Sequence, residues 1–246
     1  ASTTGNLWLG LLAAILLGFL ASPARAEQWF LSYGYYFVLA GNILWVFAMA
    51  RLYPGASKGL KQLAPWAMLC LVLTACIFLT SSPAWRVLSD ETNLLGVSQG
   101  MYRALSPVAY TKALVTQTDF VPLATATAHR PLEFPFLVSL LHCLTGFRPG
   151  NAFLLNGIAT FACLFTAFLL ATRFAPAKLA WLAPVLLAVS PIFVLSATSG
   201  GYEILSIAFT LAAFLVLAKH LASPSAHSLE GLFLTLVLLA QTRYES

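Results

Sequence analysis

Four stretches of this chain carry no Asp, Glu, Lys or Arg: Trp29 to Ala50, Gln62 to Trp85, Pro149 to Thr172 and Leu179 to Tyr202. Each matches or exceeds the roughly 20 residues that an α-helix needs to cross a bilayer. Of 246 residues, 60% are hydrophobic and only 9% charged, against roughly 45–50% and 25% in soluble domains. So few charges cannot coat a water-facing surface, and a soluble globule is excluded. The net charge of +5 does not point to nucleic acid. The basic residues fall singly at the ends of apolar runs, where they anchor topology, and no basic stripe or nucleic-acid motif is present.

Shorter apolar stretches join the long ones: Leu7 to Ala21, Leu132 to Phe147, Ile204 to Ala218 and Gly231 to Ala240. The expected fold class is therefore all-α, a polytopic membrane helix bundle of seven or eight embedded segments. The first is readable two ways, as a retained helix or as a signal-like segment ending at Ala24-Arg25-Ala26, although it lacks a basic lead. Cys70, Cys76, Cys143 and Cys163 lie within apolar segments without CxxC or metal-ligand spacing, and read as small core hydrophobes.

Charge placement orients the bundle. Arg51, Lys58 and Lys61 share a loop without an acid, which the positive-inside rule puts in the cytoplasm. Arg173, Lys178, Lys219, His220 and His227 mark two further cytoplasmic turns. Leu132 to Phe147, led by Pro131 and Pro135, is then an interfacial or re-entrant helix rather than a span. The outer face receives Arg86 to Gly150, a loop of juxtamembrane helices, together with the turn around Gly200.

Four polar spots on that face could carry chemistry. Ser89 is placed to cap a helix reaching Leu105, with Asp90 and Glu91 at its positive end and an apolar stripe of Leu94, Val97, Met101 and Leu105. The two acids either satisfy the helix start or form a carboxylate pair that serves as a general base or binds a divalent cation. His129 and Arg130 sit on a backbone stiffened by Pro131 and Pro135. The guanidinium suits a phosphate, or else snorkels to the interface. Glu203, beside an apolar run, needs either shallow water or a polar cavity. Arg243, next to Tyr244 and Glu245, closes the last segment, as a site residue or an anchor. His142 reads as a packed core residue. No Ser-His-Asp or Cys-His arrangement is visible, and no cluster has metal-ligand spacing.

This order of features resembles the first outer loop of GT-C membrane glycosyltransferases, nearest to the protein O-mannosyltransferase and aminoarabinose transferase branches. The likeness rests on Leu88-Ser89-Asp90-Glu91-Thr92, Met101-Tyr102-Arg103, the run Arg130-Pro131-Leu132-Glu133-Phe134-Pro135 leading to Leu144-Thr145-Gly146, and Leu187-Ala188-Val189-Ser190-Pro191, with Gln241-Thr242-Arg243 at the end. It covers about residues 65 to 246. Residues 1–64 are expected to form an N-terminal membrane hairpin and cytoplasmic loop, and 65–246 the N-terminal part of a truncated catalytic module. The resemblance implies inverting transfer of a sugar from a polyprenyl-phosphate donor to an unidentified acceptor, at the outer face of the bilayer, which would be the plasma (inner) membrane if the source is bacterial. By position, Asp90 would be the base with Glu91 beside it, Arg130 would hold the donor phosphate, Glu203 would line the cavity and Arg243 would add positive charge. A transporter or flippase-like protein using Glu203 and Asp90 for a cation or proton is an alternative, although no inverted repeat is evident. A structural membrane subunit is another.

Overall fold

The computed structural model describes residues 18, 22–53, 56–115, 120–128 and 130–243. The first apolar segment (all but Gly18), the side chains of Lys58 and Lys61, and His129 lie outside the described residues. Helix α1 (Pro23–Leu52) starts where Ser22 accepts a hydrogen bond from the Arg25 amide, with Pro23 in the first turn. Helix α2 (Ala56–Thr80) follows, then α3 (Leu88–Ala104), strands β1 (Val108–Val115) and β2 (Phe120–Thr127), and α4 (Glu133–Thr145). Next come α5 (Gly150–Phe174), α6 (Ala177–Ala180), α7 (Leu182–Ala188), α8 (Pro191–Ala197), α9 (Glu203–Ala222) and α10 (Ala226–Ala240).

Four helices are long and apolar enough to cross a membrane: α1, α2 from Gln62, α5 and α9. The fold is thus mostly helical and compatible with a multi-pass membrane protein. Large apolar side chains face outward along them, Phe37, Leu79 and Ile158 among them. Water would reject such a surface and hydrocarbon accepts it. Helix α5 is the hub, touching α2, α4, α7, α8 and α9. Its Ala152, Leu155, Ala159, Cys163 and Leu164 pack into one core with Cys70 and Ile77 of α2 and Ile204, Leu205 and Phe209 of α9. Helix α10 lies between α9 and α1, and the Trp45 indole donates to Thr235 Oγ1 at 3.0 Å across that seam.

Three expectations need correction. The class is not purely helical, because β1 and β2 pair antiparallel with Val108 opposite Thr127 and Val115 opposite Phe120. Val108, Tyr110, Thr111, Val115, Phe120, Val121, Thr125 and Thr127 are the β-branched and aromatic types that favour a pleated surface. The membrane-length stretch from Leu179 to Tyr202 is not one helix: Lys178–Ala188 and Pro191–Ala197 meet at 70°, since Pro191 cannot supply the amide hydrogen bond that would continue the first segment. Cys70 and Cys163 are buried, but Cys76 and Cys143 are exposed on the apolar outer surface.

The bundle has two chemically distinct ends. At one, Arg51 meets Glu230 at 3.6 Å, Lys219 donates to the Leu52 carbonyl, and Arg173 acts electrostatically on Tyr53. The basic residues assigned to one side by the charge pattern thus share one end. At the other, α3, the hairpin and α4 form a cap around the N-terminal half of α1. This cap has its own core of Tyr35, Val38, Val97, Met101, Ala109, Leu132 and Phe136. Gly100 lets α3 lie against β1, since a Cβ there would stand 1.9 Å from the Val108 carbonyl oxygen.

Candidate functional site

Helix α3 begins at Leu88, with Val87 rather than Ser89 at the cap position and no side-chain cap bond. The amides of Asp90 and Glu91 both bond to the Val87 carbonyl. Glu91 then reaches back, its Oε2 accepting from the Arg86 amide at 2.9 Å. Asp90 and Glu91 are about 100° apart around the helix, as neighbours in an α-helix must be, so their carboxylates serve different partners. Glu91 is buried and holds the approach to the helix. Asp90 faces out, where its Oδ1 accepts from Arg130 Nη2 at 2.6 Å. The side chains of Arg130 and Asp90 are 35% and 39% exposed, so the pair is open to solutes.

Arg130 reaches Asp90 from a stretch of backbone pinned on both sides of it. Ala128 bonds through its amide to the Pro107 carbonyl, and the Glu133 amide bonds to the Gln241 carbonyl at the end of α10. Arg130 also lines an open groove of about 660 Å³, shared with Glu27 and Phe30 of α1 and with Ala240 and Gln241.

Glu203 opens α9 after the turn Ser199 to Tyr202, and two anchors shape that turn. Asn156, fully buried in α5, donates to the carbonyls of Ser199 and Gly201 at 2.7 and 2.9 Å. Trp85 packs on Gly200 so closely that a Cβ there would fall 2.2 Å from the indole ring. The neighbouring Arg86 donates to Thr198 Oγ1 at 2.9 Å, and the Ala84 amide to the Thr198 carbonyl. The bend between α7 and α8 thereby carries the Glu203 turn to the start of α3.

Tyr202 marks where these parts gather. Burial raises its phenol above the ordinary range, and so do the charges of Glu203 and Asp90, while Arg130 and Arg243 act in the opposite sense. Asp90, Arg130, Glu203 and Arg243, drawn from α3, the α4 approach, α9 and the end of α10, thus all act electrostatically on one tyrosine. Glu203 Oε2 is buried without a hydrogen-bond partner. Counting along α9, Glu203 is about 24 Å from Lys219 at 1.5 Å per residue, near the roughly 30 Å thickness of a bilayer core. The cluster thus lies at the level where apolar helix gives way to the cap.

Sequence reading did not single out Tyr202, Arg86, Glu133 or Ser98. Glu133 is fully buried. Its Oε2 accepts from Asn42 of α1 at 3.1 Å, while Oε1 has no partner. Burial raises its pKa to about 8, against the lowering effect of the Asn42 bond, so it carries its proton at neutral pH. The signal was present in Arg130-Pro131-Leu132-Glu133, where an acid opens an apolar helix. Ser98, His142 and Asn151 form a buried chain, with His142 Nε2 3.1 Å from Ser98 Oγ and Nδ1 2.7 Å from Asn151 Nδ2. An amide that donates to Nδ1 leaves the proton on Nε2, facing Ser98. Ser98 donates instead to the Leu95 carbonyl at 2.7 Å. The serine is therefore not activated as a nucleophile, and His142 is a packed core residue that ties α3 to α4.

A divalent cation bridging Asp90 and Glu91 does not fit, because one carboxylate is held by Arg130 and the other by the Arg86 amide. Among the described residues no three His, Cys, Asp or Glu side chains gather as a metal site. No known protein family, curated protein or solved structure matches this chain.

Proposed function

We propose that the chain is part of a GT-C-like glycosyltransferase that moves a sugar from a polyprenyl-phosphate donor to an acceptor hydroxyl, at the non-cytoplasmic face of a membrane. The observation that carries this reading is the solvent-accessible Asp90–Arg130 pair at 2.6 Å, whose charges act on Tyr202 together with those of Glu203 and Arg243. A lipid-phosphate leaving group needs fixed positive charge at the level of the lipid headgroups, and the attacking hydroxyl needs a carboxylate. Both are within one cluster.

In the proposed reaction the acceptor oxygen bonds to the anomeric carbon as the bond from that carbon to the phosphate oxygen breaks. The hydroxyl proton passes to Asp90, and the electron pair leaves with polyprenyl phosphate, whose added charge Arg130 and Arg243 stabilise. One displacement inverts the anomeric centre and needs no covalent enzyme intermediate. In the resting site Arg130 neutralises Asp90. Arrival of the donor phosphate on Arg130 frees the carboxylate to accept a proton, which couples donor binding to base activation. The positive-inside pattern supports putting the Arg51, Arg173 and Lys219 end in the cytoplasm and the cluster outside.

The test is transfer from polyprenyl-phosphate sugars by the full protein carrying this chain, reconstituted in vesicles, with Asp90→Asn beside the parent. Loss of transfer with insertion and folding intact supports the assignment, and unchanged transfer removes it. Proton- or ion-coupled uptake lost in Glu203→Gln, with no sugar transfer in the parent, would instead favour a transporter.

A further inference from the structure

At the basic end, the last turns of α5 and α9 frame a cleft of about 590 Å³ lined by Leu170, Phe174, Phe214, Leu217 and Leu221, with Arg173 its one charged wall residue. Lys219, on the same turn of α9, holds its ammonium 4.1 Å from the centre of the Tyr53 ring and donates to the Leu52 carbonyl. Arg173 acts electrostatically on both Tyr53 and Lys219. Among the described residues neither cation has a carboxylate at ion-pair distance. The nearby acid, Glu230, is taken by Arg51 at 3.6 Å, and His220 is bonded to Ser228 Oγ at 2.7 Å. The Tyr53 hydroxyl is buried with no partner.

Negative ends of helix dipoles account for one cation on α5 and one on α9. They do not account for Arg173 standing in the wall of an apolar cleft, with Lys219 next to the wall residue Ala218 and no carboxylate on either cation among the described residues. That combination matches one class of molecule: a phosphate to neutralise the pair, joined to a chain that fills the cleft. Basic pockets between membrane helices are a known way of holding anionic headgroups, and a guanidinium is well shaped for phosphate.

We propose that this cleft binds an anionic phospholipid from the leaflet at the basic end, with its phosphate on Arg173 and Lys219 and one acyl chain between Phe174 and Leu217. The site lies at the opposite end of the bundle from Asp90 and Arg130, and it does not depend on the transferase reading.

The experiment reconstitutes the full protein in bilayers of equal phosphatidylglycerol and phosphatidylcholine, strips bulk lipid with detergent, and quantifies what stays bound by mass spectrometry. Phosphatidylglycerol is expected to be retained over phosphatidylcholine at about one molecule per chain. Arg173→Gln and Lys219→Gln should each lower that preference about fivefold, the factor for one basic residue at a membrane surface. Arg51→Gln, which removes a cation already paired, should leave it unchanged. Ala218→Trp keeps every charge and fills the cleft, and should abolish retention. Equal retention of the two lipids by the parent protein, a measurement that needs no variant, overturns the proposal. So does full retention in Ala218→Trp, which would mean surface charge alone, or complete displacement by millimolar inorganic phosphate, which would mean an anion site with no role for the chain.

Discussion

Asp90 and Arg130, forty residues apart in the chain, meet at 2.6 Å where the helical cap joins the bundle. More than a third of each side chain is exposed, and such a pair contributes only about 0.2–1 kcal/mol to stability. The pair's weight in stability and the role proposed for it in transfer are therefore separable. Asp90→Asn should shift the melting temperature by no more than a few degrees, while reducing the proposed sugar transfer about 10²–10⁴-fold, the usual contribution of a general base. Arg130→Lys keeps the charge but loses the planar fork that suits phosphate, and should raise the donor KM more than it lowers kcat. A large loss of stability in Asp90→Asn would turn the pair into a structural clamp.

Glu133 should make the fold sensitive to alkali. Its carboxyl is raised from an ordinary 4.5 to about 8 by burial, so the folded chain keeps a proton that the unfolded chain has already lost between those values. Stability is then complete below about pH 4.5 and falls as pH rises toward 8, by about 1.4 kcal/mol for each unit crossed. Above that the loss levels off, because both states are ionised. Glu133→Gln preserves the Asn42 contact without the charge and should flatten the profile. Thermal melts of parent and variant from pH 5 to pH 9 decide this, and parallel curves would show that Glu133 does not titrate in this range.

Two glycines are placed where backbone and ring come too close for any side chain. Gly100→Ala would drive a methyl group into the Val108 carbonyl, at 1.9 Å, and Gly200→Ala would drive one into the Trp85 ring, at 2.2 Å. Backbone cannot swing aside as a side chain can, so Gly100→Ala should be the costlier, on the order of 3 kcal/mol at the upper end of overpacking effects. Gly200→Ala should instead displace Trp85, releasing Arg86 from Thr198, and change the tryptophan emission spectrum with a smaller fall in stability. Equal melting temperatures for parent and both variants would contradict this packing.

The membrane-length helices were legible because hydropathy summed over about 20 residues is a strong signal, and the shared end of Arg51, Arg173 and Lys219 was legible because single basic residues punctuated the runs. The hairpin was harder to see. Lys112 and Pro122 interrupt its apolar alternation, and irregular register flanks Lys112. Ser190-Pro191 signalled a helix boundary but not a 70° bend, which depends on where Thr198 docks against Ser81, Ala84 and Arg86. Asp90, Arg130, Glu203 and Arg243 could be nominated one by one from charge in apolar surroundings. That all four act electrostatically on Tyr202 follows from the packing of the cap on α1 and α5, which local sequence does not encode. Glu133 was hidden because its burial depends on Asn42 of α1, 91 residues away in the chain.

The separation of the two adjacent acids bears on metal dependence. Glu91 Oε2 is held by the Arg86 amide and Asp90 Oδ1 by Arg130, so gathering both around a divalent cation would require unwinding the start of α3 or turning Glu91 out of its buried position. The proposed transfer should therefore survive chelation by EDTA with its rate changed by less than about twofold, since in that reaction guanidinium groups rather than a Lewis acid would meet the leaving-group charge. Glu91→Gln retains an acceptor for the Arg86 amide and should be nearly silent. Glu91→Ala leaves that amide without its partner and should cost about 1–3 kcal/mol of stability, loosening Arg86 and Trp85 together. If EDTA abolishes transfer and added Mg²⁺ or Mn²⁺ restores it, and Glu91→Gln weakens the restoration, then the helix start rearranges around a cation and Asp90 is a ligand rather than a free base.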